Sequence, residues 1–213
     1  GLVTIVALLG FSMPAAAQDK GGGNPVVPWQ ANTKSEGGAA SQVAGITLDA
    51  RQVDAVKLVS TYFNDLHNLK GNFVQTNPDR KRERGKFYVK RPGRLKFEYG
   101  APSKMVITSD GQNVAIQDPD GADQRVTLDQ TPFRVLLKRD VDLVRDARII
   151  DVQESNDLII VTLQDKNPDV AGRIKLFMSR APQLELKEWV TTDAGGKDTH
   201  VEVANLVKTE DID

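Results

Sequence analysis

The sequence predicts an α+β fold, mainly antiparallel β, in which one amphipathic helix precedes a long series of short strands. Three observations carry this. Apolar residues recur every three or four positions over one stretch, from about Asp49 to Lys70; the period falls to two after Gly71; and turn residues separate the strand-like runs that follow. Sequential strands joined by tight turns make an antiparallel meander, either a closed barrel or a strongly curved sheet.

The chain opens with an apolar run from Gly1 to Leu9 that continues through Phe11 and Met13 to Pro14. Ala15-Ala16-Ala17 then precede the polar Gln18-Asp19-Lys20. Residues 1–17 are therefore expected to be a signal peptide with a small-residue cleavage site. The run is shorter than the roughly 20 residues that span a bilayer, so export is expected and not a membrane anchor. With no initiator Met or basic leader, the sequence is expected to start inside a precursor. Residues 18–45 carry Gly21-Gly22-Gly23, two prolines and Gly37-Gly38 and are expected to form a flexible linker holding Trp29. The remainder, 46–213, is the size of one domain with one core.

There is no cysteine. Stability then rests on packing, although an exported chain meets a compartment that permits disulfides. A bacterial lipoprotein carries its acyl chains on a Cys directly after the signal, and Gln18 stands there, so a diffusible protein is expected. The 28 basic and 29 acidic residues leave a net charge of −1, which gives no case for nucleic acid as a partner.

In order, the helix is expected to present Val53, Val56, Val59, Phe63, Leu66 and Leu69 on one face, with Asp49 as N-cap and Gly71 as C-terminal stop. Strands are expected at Asn72 to Thr76, Gly85 to Lys90, Leu95 to Tyr99, Met105 to Ser109, Val114 to Gln117 and Gln124 to Leu128. Five more follow at Ala147 to Glu154, Leu158 to Gln164, Arg173 to Ser179, Leu184 to Thr192 and His200 to Leu206. Ser109-Asp110-Gly111, Asp118-Pro119-Asp120-Gly121 and Asp193-Ala194-Gly195-Gly196 are among the turns between them. Thr131-Pro132-Phe133 with Val135, Leu136 and Leu137 reads as a short helix with Pro near its first turn, and a second short helix is expected around Val141 to Arg145.

Alternation in the second and third strands sets Phe87, Val89 and Arg91 on one face and Lys86, Tyr88 and Lys90 on the other; Leu95, Phe97 and Tyr99 likewise share a face. One side of this hairpin is meant to leave water. A guanidinium on that side is costly without acceptors. Arg91 either finds carbonyls on something that caps the concave side or, standing beside Pro92, curls into solvent.

No catalytic constellation is present. His67 and His200 have no metal-ligand spacing, and no Gly-x-Ser-x-Gly elbow or phosphate-cradling Gly-Lys-Ser/Thr loop occurs. Asp118, Asp120 and Asp123 read as a hairpin turn and not as a calcium loop, given Pro119 and Gly121. No enzyme activity, metal or cofactor is expected. The basic run Arg80-Lys81-Arg82-Glu83-Arg84 falls in the expected turn between the first two strands. It reads as a solvated tip or as a contact for anionic headgroups or an acidic partner.

Phe73-Val74-Gln75, the stretch from Gly85 through Lys90-Arg91-Pro92 to Tyr99, Pro102, Ser109-Asp110-Gly111 and Thr131-Pro132 with Leu136-Leu137 resemble the LolA-type outer-membrane lipoprotein carriers. The resemblance spans about Ile46 to Leu206. It implies an incomplete (half) β-barrel with a helical lid over a hydrophobic cavity. The arginine before the proline latches the lid in that family, a role that falls on Arg91. The cavity wall would include Phe87, Val89, Leu95, Phe97 and Tyr99, with Phe133 and Leu136 on the lid.

The implied function is a periplasmic chaperone of a Gram-negative bacterium, a monomer that takes acylated lipoproteins from an inner-membrane ABC exporter to an outer-membrane acceptor. Transient contact with a membrane surface is also implied. A lipid or glycolipid carrier, or an envelope-stress sensor domain, on the same half-barrel is the alternative.

Overall fold

A computed structural model of the chain describes residues 45–209. The expected signal peptide, and the expected linker apart from Gly45, lie outside the described residues. Helix α1 (Ala50–Asp65) starts at Asp49, whose carboxylate accepts a hydrogen bond from the Gln52 amide at 2.8 Å while the Gln52 side chain accepts from the Asp49 amide at 3.0 Å. This reciprocal capping box satisfies two of the donors that a helix start leaves open. Asp49→Ala is expected to cost about 1 kcal/mol of stability, read as a lower denaturant midpoint at unchanged slope.

The helix ends earlier than its apolar period suggests. Leu66 and Leu69 fit a helical face and a strand face equally, and both are buried. From Asn68 onward, however, the backbone finds partners on both sides, and sheet pairing wins over the helical period. Gly71 is therefore no helix stop. It lies inside β1 (Asn68–Thr76), where a Cβ would stand 2.9 Å from the Ala204 carbonyl oxygen and 3.0 Å from the Phe87 ring. His67, expected on the helix, lies past its end.

Ten strands follow: β2 (Arg82–Lys90), β3 (Arg94–Tyr99), β4 (Val106–Asp110), β5 (Asn113–Gln117), β6 (Gln124–Thr127), β7 (Ala147–Glu154), β8 (Leu158–Asp165), β9 (Arg173–Ser179), β10 (Glu185–Thr192) and β11 (Asp198–Thr209). Between β6 and β7 come a 3-10 turn (Leu128–Gln130) and two short helices, α2 (Arg134–Leu137) and α3 (Leu143–Asp146). The basic run is only partly a turn. Arg82 and Glu83 already pair with Thr76 and Gln75, which leaves Arg80 and Lys81 at the tip.

All eleven strands form one antiparallel sheet in the order β6-β5-β4-β3-β2-β1-β11-β10-β9-β8-β7. Each wing is a meander of sequential neighbours, and the first strand pairs with the last at the centre. The sheet stays open between β6 and β7, so the architecture is an incomplete barrel. The outer edge of β7 is met by the Ile46 amide, which donates to the Ile149 carbonyl at 3.0 Å.

The core lies between one face of the sheet and the helices. Val56 and Val59 of α1, Leu136 and Leu143 of the short helices, and Phe73, Ile107, Ile159 and Leu176 of the sheet belong to one buried cluster. Gly85 admits the aromatic part of it, since a Cβ there would strike the Glu98 carbonyl oxygen and come within 2.9 Å of the Phe73 ring. Phe73 instead packs edge-on against Phe97 and Tyr99, with centroids at 5.2 and 4.9 Å.

Candidate ligand cavity and its lid

Register brings the alternating apolar residues of the two wings to one place. Phe87 pairs with Phe97 and Val89 with Leu95 across β2 and β3, and the two rings stack at 5.7 Å. From the other wing Leu176, Leu186 and Trp189 face them; Trp189 sets its ring at 6.2 Å from Phe97 and 6.0 Å from Phe133. Phe133, Leu136 and Leu137 close the space from the lid side. With Leu69 they surround a cavity of about 70 Å³. At roughly 30 Å³ per liquid water this is room for about two waters and not for an acyl chain. Holding such a chain requires the lid to move.

Six residues expected at the cavity are gathered there: Phe87, Val89, Leu95, Phe97, Phe133 and Leu136. Tyr99 is not among them. Its hydroxyl donates to Gln75 Oε1 at 2.6 Å, Gln75 Nε2 donates to Asn77 Oδ1 at 2.6 Å, and Asn77 Nδ2 donates to Glu83 Oε2 at 3.0 Å. Burial, and next the charge of Glu83, push the Tyr99 phenol well above its usual range. This polar network occupies the end of β1–β3 away from Arg91.

Arg91, at the end of β2 on the face of Phe87 and Val89, donates to the carbonyl oxygens of Phe63 and Lys138 and, at 3.4 Å, to that of Arg139. Phe63 is in the last turn of α1, where carbonyls lack partners within the helix. That turn contains no basic residue, so Arg91 supplies the positive charge that a helix C-terminus favours. Lys138 directly follows α2. One side chain thus binds the end of α1 to the end of the lid helix. Desolvation lowers the Arg91 pKa, yet a guanidinium keeps its charge. The backbone repeats the connection: the Arg91 amide donates to the His67 carbonyl and the Gly93 amide to the Leu137 carbonyl, both at 2.9 Å.

Other fasteners surround the lid. The Arg134 guanidinium grips the buried carboxylate of Asp165 on β8 with two hydrogen bonds, that from Nη2 at 2.6 Å. Asn64 of α1 both donates to the Val141 carbonyl and accepts from its amide, each at 2.8 Å. Asp146 of α3 lies 3.1 Å from Lys138 and 2.9 Å from Arg145.

The Asp146 carboxyl is held at about 2, below its ordinary 3.8, chiefly by the hydrogen bond from Arg145 and then by Lys138. A depressed carboxyl pKa stabilises the folded state above the unfolded value and loses that contribution as pH falls through the folded one. The join between α2 and α3 is therefore expected to hold above about pH 4 and to loosen toward pH 2. Hydrogen exchange of the residue 138–147 amides across that range measures it.

Five lining residues lie outside the expected set: Leu69, Leu137, Leu176, Leu186 and Trp189. Leu176 was legible, since Ile174, Leu176 and Met178 alternate on one face of β9. Trp189 was hidden because the register of β10 shifts between Leu186 and Glu188, breaking its alternation. His67 and His200 are both exposed; His200 lies 3.0 Å from Glu188. Asp118 forms a turn, accepting from the Asp120 amide at 3.0 Å.

Residues 64–213 match the family model described as "Outer membrane lipoprotein carrier protein LolA". The chain belongs to the LolA family. Among curated relatives, an outer-membrane lipoprotein carrier protein of Neisseria meningitidis serogroup C is 35% identical over 78 residues, 35% of this chain and 38% of that protein. One from Pseudomonas putida (strain GB-1) is 37% identical over 90 residues, covering 40% and 43% of the two chains. The chain thus matches less than half the length of these relatives. A solved LolA superfamily protein from Nitrosomonas europaea aligns with a TM-score of 0.40 at 11% identity, over 78% of this chain and 96% of that one.

Proposed function

We propose that this LolA-family chain is a non-enzymatic periplasmic carrier that shelters the acyl chains of lipoproteins beneath its lid. It accepts them from an inner-membrane ABC exporter and passes them, as a monomer, to an outer-membrane acceptor. Residues 1–17 serve as its export signal, 18–45 as a tether and 46–213 as the carrier domain. The observation that carries this reading is the Arg91 bridge between α1 and the lid, directly beside a cavity walled by apolar side chains.

The energetics favour such a device. Sheltered methylenes contribute about 0.8 kcal/mol each, so partial burial of a di- or triacyl anchor supplies ample affinity. Release is the harder step. A closed state that competes with cargo solves it, because the bonds Arg91 makes in the closed state return when cargo leaves. No nucleotide-binding loop is needed.

The test is a release assay with inner-membrane spheroplasts: purified protein is expected to draw lipoproteins into soluble complexes. If lipoproteins stay in the membrane pellet at every protein concentration, the reading fails. A lipid or glycolipid carrier is the second reading, favoured by one observation. The lining is aliphatic and aromatic, suited to hydrocarbon whether or not a polypeptide is attached to it. Free phospholipid, in place of acylated protein, in mass spectra of purified complexes would select it.

A further inference from the structure

The outer face of β1–β3 carries a charge layout that lipid sheltering does not use. Alternation turns Arg82, Arg84, Lys86 and Lys90 of β2 away from the core, and all four are exposed. Register places Lys96 beside Tyr88 and Arg94 beside Lys90 on β3, while Lys70 of β1 meets Tyr88 from the other side. Three acids stand nearby: Glu98, opposite Lys86 and paired with Lys96; Glu202 on β11, 3.8 Å from Arg82; and Asp110, opposite Arg94. Positive charge remains in excess on this face of a chain whose net charge is −1.

We infer that this face is a docking surface for anionic phospholipid headgroups. Neighbouring strands lie about 4.8 Å apart, which spreads the cations over a broad surface. Val74 and the half-buried Tyr88 are the main apolar groups among them. Protein interfaces gather apolar residues at their centre and are depleted in lysine, so a polypeptide partner fits poorly. A plane of phosphates fits well, with lysine and arginine stems lying flat and their heads extended.

The position of the face matters. Arg94 borders an outer groove of about 470 Å³, shared with Tyr88, Lys90 and Lys96, and also an open crevice of about 520 Å³ beside the lid, shared with Pro92, Arg134 and Lys138. Docking would bring the lid edge to the bilayer, a consequence that rests on the carrier reading; docking itself does not.

Vesicle flotation of the chain from Gln18 onward, without the apolar run proposed as its export signal, tests the assignment. Vesicles of phosphatidylcholine with about one-third phosphatidylglycerol are expected to carry the protein, and pure phosphatidylcholine is not. Raising salt from about 50 mM to about 500 mM is expected to weaken binding at least tenfold. The triple variant Lys86→Gln/Arg94→Gln/Lys96→Gln is expected to weaken it about a hundredfold, at about fivefold per cation. Arg173→Gln/Lys197→Gln, at exposed sites on β9 and the β10–β11 turn, is expected to float like the parent.

Equal binding to neutral vesicles, full binding by the triple variant, or a preference for polyglutamate or duplex DNA over the vesicles would overturn the assignment. A chain that floats but draws no lipoprotein from spheroplasts removes the carrier reading alone. One that draws lipoprotein but does not float removes the docking surface alone.

Discussion

Arg91→Leu is expected to leave uptake of acylated cargo intact and to slow its transfer to the acceptor by at least about tenfold, a loss of about 1.4 kcal/mol in the competition between closed and loaded states. Leucine keeps the apolar face of β2 continuous with Phe87 and Val89 but offers no donor, so the Phe63 and Lys138 carbonyls lose the cation between them. Those carbonyls close two helix ends, and opening them to water removes what favours the shut lid. Single-turnover transfer from preloaded protein is the measurement. Transfer at the parental rate would show that the bridge does not help drive release. Arg91→Lys is a sharper control: it keeps the charge but not the planar fork that reaches two carbonyls at once, so transfer should fall between parent and leucine.

Arg134→Ala is expected to cost about 2–3 kcal/mol of folding stability, seen as a lower urea midpoint. The Asp165 side chain has no exposed surface, and losing the arginine would leave a buried carboxylate with fewer partners than its charge requires. Removing one member of a fully buried pair costs about 3–5 kcal/mol; Arg134 retains 31% of its surface, and water screening reduces the figure. The Asn167 amide still donates to Asp165 at 2.8 Å, which softens the loss further. Arg134→Leu/Asp165→Leu should recover most of the stability, because an apolar pair leaves no orphaned charge. A double variant as unstable as Arg134→Ala would mean that Arg134 acts through its packing and not through its charge.

The sequence made the strands legible, because period-two alternation survives wherever one face is buried and the other is wet. The faces of β2 and β3, and the placing of Arg91 with Phe87, follow from that alone. It failed where two periods coincide: Leu66 and Leu69 suit a helix and a strand alike, and only pairing with β2 and β11 decides between them. It also failed at partners far apart in the chain. Arg134 and Asp165 stand 31 positions apart, and nothing local in the sequence says that they meet. Tyr99 carries the alternation of a cavity residue, but its hydroxyl finds Gln75, a buried acceptor that composition does not reveal. Similarly, Arg82–Arg84 resembled a charged loop because strand pairing with Gln75 and Thr76 leaves no mark in a run of cations.

The pairing of β1 with β11 has a kinetic consequence. Phe73 pairs with Val203, about 130 residues later, so the seam of the sheet is its longest-range contact. Each wing can form from neighbouring strands, but the two join only when the last strand is available. Until then β1 and β10 are open edges that invite pairing with other chains. The seam is therefore expected to form late in folding. Any aid to folding in the cell would act on the interval between completion of the two wings and arrival of β11.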